Sequence, residues 1–218
     1  MLSRRFLIAA MPCCLLARPS RAETADPVEP VDGPDAQPRR YMMEDAYGNA
    51  LTNEDFEGKY LLIYFGYTGC PDVCPTSLAT ISAVMDALGP LADQVTPIFV
   101  TVDPDHDTAK LMQEYLSYFD KRFVGLRGPR AYTDHMVQAF NARYEYNIPD
   151  PSHPERYSID HTASIAFMDP QGRLIRRFPH GFAVEDMARR IAATLEAKPA
   201  PAANPLDASA SAQSGASQ

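Results

Sequence analysis

Tyr60-Leu-Leu-Ile-Tyr-Phe65 is apolar at every position. Side chains along a strand alternate between two faces, so a strand made from this run has no face to offer water. Strands of that kind lie in sheets covered by helices on both sides. A layered α/β domain follows, and the rest of the chain supplies the layers. Residues 75–88 carry Leu78, Ile81, Val84, Met85 and Leu88 at helical spacing, and Gly89-Pro90 ends the pattern. Residues 95–102 read as a second buried strand. Residues 108–119 repeat the helical period through Leu111, Met112, Tyr115, Leu116 and Phe119. A third helix is expected over 132–143, then a long polar loop to Asp160. Strands over 163–168 and 174–178 are joined by the turn Asp169-Pro-Gln-Gly172, and a helix over 183–195 closes the domain. Ahead of all this, Tyr41-Met42-Met43 and Ala50-Leu51 flank the turn Tyr47-Gly48-Asn49.

Strand, helix, strand, and later a hairpin and a helix make up the thioredoxin plan. The expected fold is therefore α/β and thioredoxin-like: a central mixed sheet flanked by helices, with an extra N-terminal β-hairpin. It should occupy residues 41–197. Outside it the sequence changes character. Arg4-Arg5 precedes a short apolar run and then Ser20-Arg21-Ala22, the pattern of a signal peptide over residues 1–22 or of a short anchor. The paired arginines loosely resemble a twin-arginine signal, and Ala10-Met11-Pro12 ahead of Cys13 is a poor lipid-anchoring sequence. Export to the periplasm is expected, with membrane tethering left open. Residues 23–40 are rich in Pro, Asp and Ala, and residues 198–218 in Ala, Ser and Pro. Neither stretch carries enough apolar surface to offset the entropy of ordering, so both read as disordered. The formal charge of −8 and the lack of a basic patch exclude a nucleic-acid binder.

Chemistry concentrates in Cys70-Pro-Asp-Val-Cys74. The chain has four cysteines, and Cys13 and Cys14 lie in the expected signal, so one pair remains in the domain. Residues i and i+4 share a helix face, and Pro75 suits the start of a helix. Both thiols would then flank a helix N-terminus, where unpaired N–H groups favour thiolates. Two thiolates form a soft donor set that selects Cu(I), or Zn(II) if further ligands join. A structural disulfide is the plain alternative for an exported protein, although so short a loop would constrain the unfolded chain little. A thiol–disulfide redox couple is the stronger rival. Thioredoxin-like oxidoreductases keep two residues between their cysteines, where three stand here, and carry a proline just before the strand that faces them. The corresponding segment, Tyr157-Ser-Ile-Asp-His-Thr-Ala163, has no proline and presents His161 instead. A neutral imidazole beside two thiolates completes a Cys₂His set suited to copper, with Asp160 as a candidate acceptor behind it. His106, His135, His153 and His180 read as ordinary histidines. A peroxiredoxin is disfavoured, because Thr68-Gly69-Cys70 lacks the Thr-x-x-Cys spacing.

Three segments in order carry a family resemblance: Tyr64-Phe-Gly-Tyr-Thr-Gly-Cys-Pro-Asp-Val-Cys-Pro75, Val100-Thr-Val-Asp-Pro-Asp-His-Asp107 and Ile159-Asp-His-Thr162. Together they resemble the Sco/SenC family, thioredoxin-fold copper proteins of cytochrome c oxidase assembly. The resemblance implies one copper, Cu(I) or also Cu(II), bound by Cys70, Cys74 and His161. It implies a metallochaperone rather than an enzyme, delivering the ion to a copper-accepting subunit of cytochrome c oxidase. A copper donor and a thiol reductant would be further partners. The alternative is a thiol–disulfide reductase that keeps the oxidase subunit's cysteines reduced. The family's Asp-Pro-x-x-Asp segment falls on Asp103 and Asp107, and His106 stands where relatives often have arginine. Asp107 ahead of Thr108 reads first as a helix N-cap, the alternative being a polar wall beside the copper loop that sets its geometry or docks a partner. Asp103 ahead of Pro104 reads equally as a turn residue or as a polar wall beside the copper loop. Asp72 is expected to turn the loop between the cysteines.

Overall fold

The computed structural model describes residues 37–197. It opens with the hairpin β1 (Met42–Asp45) and β2 (Ala50–Thr52), whose turn places Gly48 at φ +83°. Next come β3 (Tyr60–Gly66), α1 (Val73–Ala87), β4 (Val95–Thr101), α2 (Ala109–Ser117), β5 (Val124–Arg127) and α3 (Arg130–Ala139). The chain then forms β6 (Tyr144–Asn147), β7 (Ser158–His161), β8 (Ile165–Met168), β9 (Leu174–Phe178) and α4 (Val184–Glu196).

Seven strands form one sheet in the order β2-β1-β5-β4-β3-β8-β9. The β3–β4 and β4–β5 pairs are parallel, and β1–β2, β1–β5, β3–β8 and β8–β9 are antiparallel. The expected mixed sheet with its added hairpin is thus present. Every residue of β3 is buried, as its unbroken apolar run requires. Both of its faces are covered: the Tyr64 hydroxyl reaches the Val73 carbonyl of α1, while Phe65 packs edge-on against Phe140 at the end of α3, 5.6 Å between centroids. Phe99 of β4 lies between Tyr64 and Tyr115 of α2. Fully burying a side chain of this size contributes roughly 1.5–3 kcal/mol. α1 and α4 pack on each other.

Three features depart from the sequence expectation. β5 was not foreseen; a Cβ on Gly125 in its middle would stand 2.9 Å from Leu116 of α2 and 3.0 Å from Met112. Helix packing, not flexibility, requires that glycine. The stretch expected as a loop before Asp160 instead holds a two-stranded antiparallel ribbon, β6–β7, separate from the main sheet. α1 begins at Val73, so Cys74 lies inside its first turn.

Among the described residues no helix is long and apolar enough to cross a membrane. The expected signal or anchor (1–22), the tail (198–218) and all but the last few residues of the expected tether (23–40) lie outside the described residues. Within that tether's end, the Arg39 amide donates to the Gly172 carbonyl at 2.9 Å.

Candidate metal centre

β3 ends at Gly66 and passes into Tyr67-Thr68-Gly69-Cys70, which delivers the first thiol to the head of α1. The Cys70 amide donates to the Tyr67 carbonyl at 3.3 Å, making a tight turn. Asp72 is the N-cap of α1, but its side chain makes no cap hydrogen bond. Its carbonyl instead accepts from the Thr76 amide and hydroxyl. Cys74 sits two residues on, in the first turn, and is fully buried. A Cβ on Gly66 would lie 2.8 Å from the Cys74 sulfur and 3.0 Å from the rings of Phe99 and Tyr64. The glycine is therefore what makes room for that sulfur.

His161 comes from the far end of the chain, on β7. Residues alternate across the β6–β7 ribbon: Tyr144, Tyr146, Ile159 and His161 share one face, and Glu145 and Asp160 point to solvent on the other. His161 Nε2 stands 3.3 Å from Cys74 Sγ. Its Nδ1 lies 3.3 Å from the Thr162 carbonyl, which fixes Nδ1–H as donor and leaves the Nε2 lone pair facing the sulfur. The ring is held edge-on by Tyr64 and Tyr67, with centroids 5.9 and 6.0 Å away. The backbone acceptor at Nδ1 is thus Thr162, while the Asp160 carboxylate contributes only a coulombic pull.

The ligand atoms of Cys70, Cys74 and His161 lie within 4.8 Å of one another. An ion bonded to sulfur and nitrogen at roughly 2.0–2.3 Å spans a similar distance. Both cysteines are free and buried. Burial pushes the Cys74 thiol up to about 12, the neighbouring Cys70 adding to the effect and the Tyr67 backbone and Tyr64 opposing it. For Cys74 this corrects the expectation of a thiolate at the helix N-terminus: removing the sulfur from water is the largest influence on it. Burial likewise lowers the His161 pKa, against the Thr162 hydrogen bond and Asp160, so the imidazole is held neutral and ready to donate its lone pair.

The other histidines stay apart from this triad. His180 Nδ1 meets the buried Ser77 hydroxyl at 3.1 Å, and His106 Nδ1 lies 3.4 Å from Asp107 Oδ1. Asp103, His106 and Asp107 also gather donor atoms within 4.8 Å. Their carboxylates, however, already accept from the hydroxyls of Tyr146, Tyr157, Thr68 and Thr101 and from the Thr68 amide, so a cation would compete with five bonds. Asp107 is not the N-cap of α2, as the sequence suggested. Thr108 holds that place, accepting from the Leu111 amide at 3.2 Å, while Asp107 turns inward. Gly66, Tyr67 and Tyr157 stand in the segments read from sequence but were given no role of their own there, and Tyr146 was not singled out. The alternation of Tyr144 and Tyr146 with polar residues was the one available signal for the neighbourhood of Tyr146 and Tyr157.

The profile of the SCO1/SenC family matches residues 31–196. The chain is 38% identical over 154 residues to Protein sco1 of Schizosaccharomyces pombe, covering 69% of this chain and 58% of that protein. It is 34% identical over 147 residues to the human mitochondrial Protein SCO1 homolog, covering 66% of this chain and 48% of that protein. It thus spans about half the length of these relatives. Among solved structures, copper-bound ScoI of Bradyrhizobium japonicum aligns with a TM-score of 0.62 at 40% identity, covering 72% of this chain and 95% of that one. Copper-bound yeast Sco1 aligns with a TM-score of 0.68 at 27% identity, covering 75% and 90%. The chain belongs to the SCO1/SenC family.

Proposed function

We propose that this protein is a copper metallochaperone, binding one copper ion through Cys70, Cys74 and His161 and passing it to a subunit of cytochrome c oxidase during assembly. The observation that carries the reading is the 3.3 Å approach of His161 Nε2 to Cys74 Sγ with Nδ1 committed to the Thr162 carbonyl. A lone pair aimed at a buried sulfur is the arrangement a soft ion would bridge. Two thiolates and one imidazole suit Cu(I), and a three-ligand set leaves room for an incoming donor from the recipient. Transfer then proceeds by exchange of ligands, with no substrate turned over. The copper-bound relatives support the choice of ion. The periplasm is the proposed compartment, from the export pattern at the N-terminus, with a copper donor and a thiol reductant as further partners.

A second reading rests on the two free thiols: a thiol–disulfide reductase that keeps the recipient's cysteines reduced. It leaves His161 without a role. Mixing copper-loaded protein with the copper-free domain of the recipient subunit, once with its cysteines reduced and once with them oxidised, separates the two. Stoichiometric movement of copper is expected. Electron transfer to an oxidised recipient with no movement of copper would favour the reductase.

A further inference from the structure

The centre is assembled from two pieces that do not share a strand pair: the cysteine loop at the end of β3, and the β6–β7 ribbon outside the main sheet. Both are tied to a third segment, the loop between β4 and α2. Asp107, fully buried, accepts from the Thr68 amide at 3.1 Å, the Thr68 hydroxyl at 2.5 Å and the Thr101 hydroxyl at 2.6 Å. Thr68 is two residues before Cys70. Asp103, 2% exposed, accepts from Tyr146 on β6 at 2.7 Å and from Tyr157, next to β7, at 2.6 Å. Tyr146 faces Ile159, and the adjacent inward pair is Tyr144 with His161. The two aspartates are themselves locked together, since the Asp107 amide donates to the Asp103 carbonyl at 2.9 Å. Arg127 donates to the Asp107 carbonyl at 3.2 Å and fixes the loop from below.

We infer that Asp103 and Asp107 are positioning residues that set the geometry between sulfur and imidazole, Asp107 holding the cysteine loop through Thr68 and Asp103 holding the His161 ribbon through Tyr146 and Tyr157. Hydroxyl-to-carboxylate bonds of this length are charge-assisted and about twice as strong as neutral ones. Burying two carboxylates is costly unless each is fully hydrogen-bonded, and here the bonds reach the two ligand-bearing segments. One further strut joins the pieces directly: the Ile159 amide donates to the Tyr67 hydroxyl at 3.3 Å. Arg130 steadies the same ribbon, donating to the hydroxyls of Tyr144 and Tyr146 and to Asp105. The division of labour makes the inference specific. Loosening Asp103 should affect the nitrogen ligand, and loosening Asp107 the thiolates.

This inference rests on the copper reading, and its test distinguishes the two. The full chain and its Asp103→Asn, Tyr157→Phe and Asp107→Asn variants are loaded with copper. Nitrogen coupling is read by electron paramagnetic resonance on the Cu(II) form, the thiolate-to-copper absorption band is recorded, and release is timed by capturing Cu(I) with a chelator. Asp103→Asn and Tyr157→Phe are expected to weaken or lose the nitrogen coupling with the thiolate band retained. Release should quicken about ten- to hundredfold, the usual scale for partners behind metal ligands. Asp107→Asn should shift the thiolate band first. Tyr157→Phe removes one donor and keeps the carboxylate, so it decides the matter should Asp103→Asn fail to fold. Folded variants with unchanged nitrogen coupling and release overturn the inference alone. A wild-type chain that takes up no copper overturns the copper reading and the inference with it.

Discussion

Cys74 Sγ and His161 Nε2 stand 3.3 Å apart although 87 residues separate them in the chain. One comes from the first turn of α1 and the other from a ribbon that is no part of the main sheet. Closing so long a loop has an entropic cost, which the fold offsets through the buried sheet between them and the tyrosine contacts of the ribbon. A soft donor pair is thereby held before any ion arrives.

The room for that sulfur depends on Gly66. With a Cβ placed 2.8 Å from Cys74 Sγ and 3.0 Å from two aromatic rings, Gly66→Ala forces the sulfur or the rings to move. Overpacking of this kind costs about 1–3 kcal/mol. Urea unfolding of the reduced, copper-free protein should show a lower midpoint with an unchanged slope, and copper affinity should fall as well. A variant that matches wild type in both would mean that the sulfur is not confined there.

Cys74 predicts loss of stability in alkali. Its thiol is raised in the folded state from the ordinary 9.0 to about 12. The folded protein therefore holds this proton more tightly than the unfolded chain does. The stabilisation is fully present below about pH 9 and drains away as pH rises towards 12. Burial also raises Tyr41, Tyr64 and Tyr115, which adds to the same loss. The difference between wild type and Cys74→Ala carries the Cys74 share together with the part of the Tyr64 and Tyr115 shifts that its charge causes. The unfolding midpoint of the reduced wild type should fall more steeply above pH 9 than that of the variant.

His161 acts at the other end of the scale and with the opposite sign. Its folded pKa is lowered from 6.5 by burial, so the unfolded chain binds the proton more readily. Its contribution is present above pH 6.5 and is lost as pH falls through the lowered folded value. Proton magnetic resonance of the imidazole should place its titration below 6.5, and His161→Gln should flatten the acid side of the stability profile. A titration at or above 6.5 would contradict the buried, neutral ring.

Much of this was legible in the sequence because it is local. The buried run of β3, the helical periods of α1, α2 and α4 and the turn at Asp169–Gly172 each declare themselves within a dozen residues. The cysteine pair does the same. What escaped was non-local. β5 is four residues with a glycine at its centre, and only the packing of Leu116 and Met112 explains that residue. β6 and β7 are separated by a stretch containing Pro149, Pro151 and Pro154, which hides their pairing. Asp107 looked like a cap because Thr108 and a helix follow it, yet its partner Thr68 lies 39 residues away. The state of the Cys74 thiol was misread for a related reason: the helix N-terminus is visible in sequence, and the depth of burial is not.

In the proposed centre His161 acts as a third ligand, and anaerobic titration of the reduced protein with Cu(I) tests this directly. Wild type should bind one equivalent tightly, Cys70→Ser and Cys74→Ser should lose that binding, and His161→Ala should bind far more weakly. Unchanged Cu(I) affinity in His161→Ala, together with efficient disulfide reduction by the same protein, would contradict the account and leave the cysteines as a redox pair.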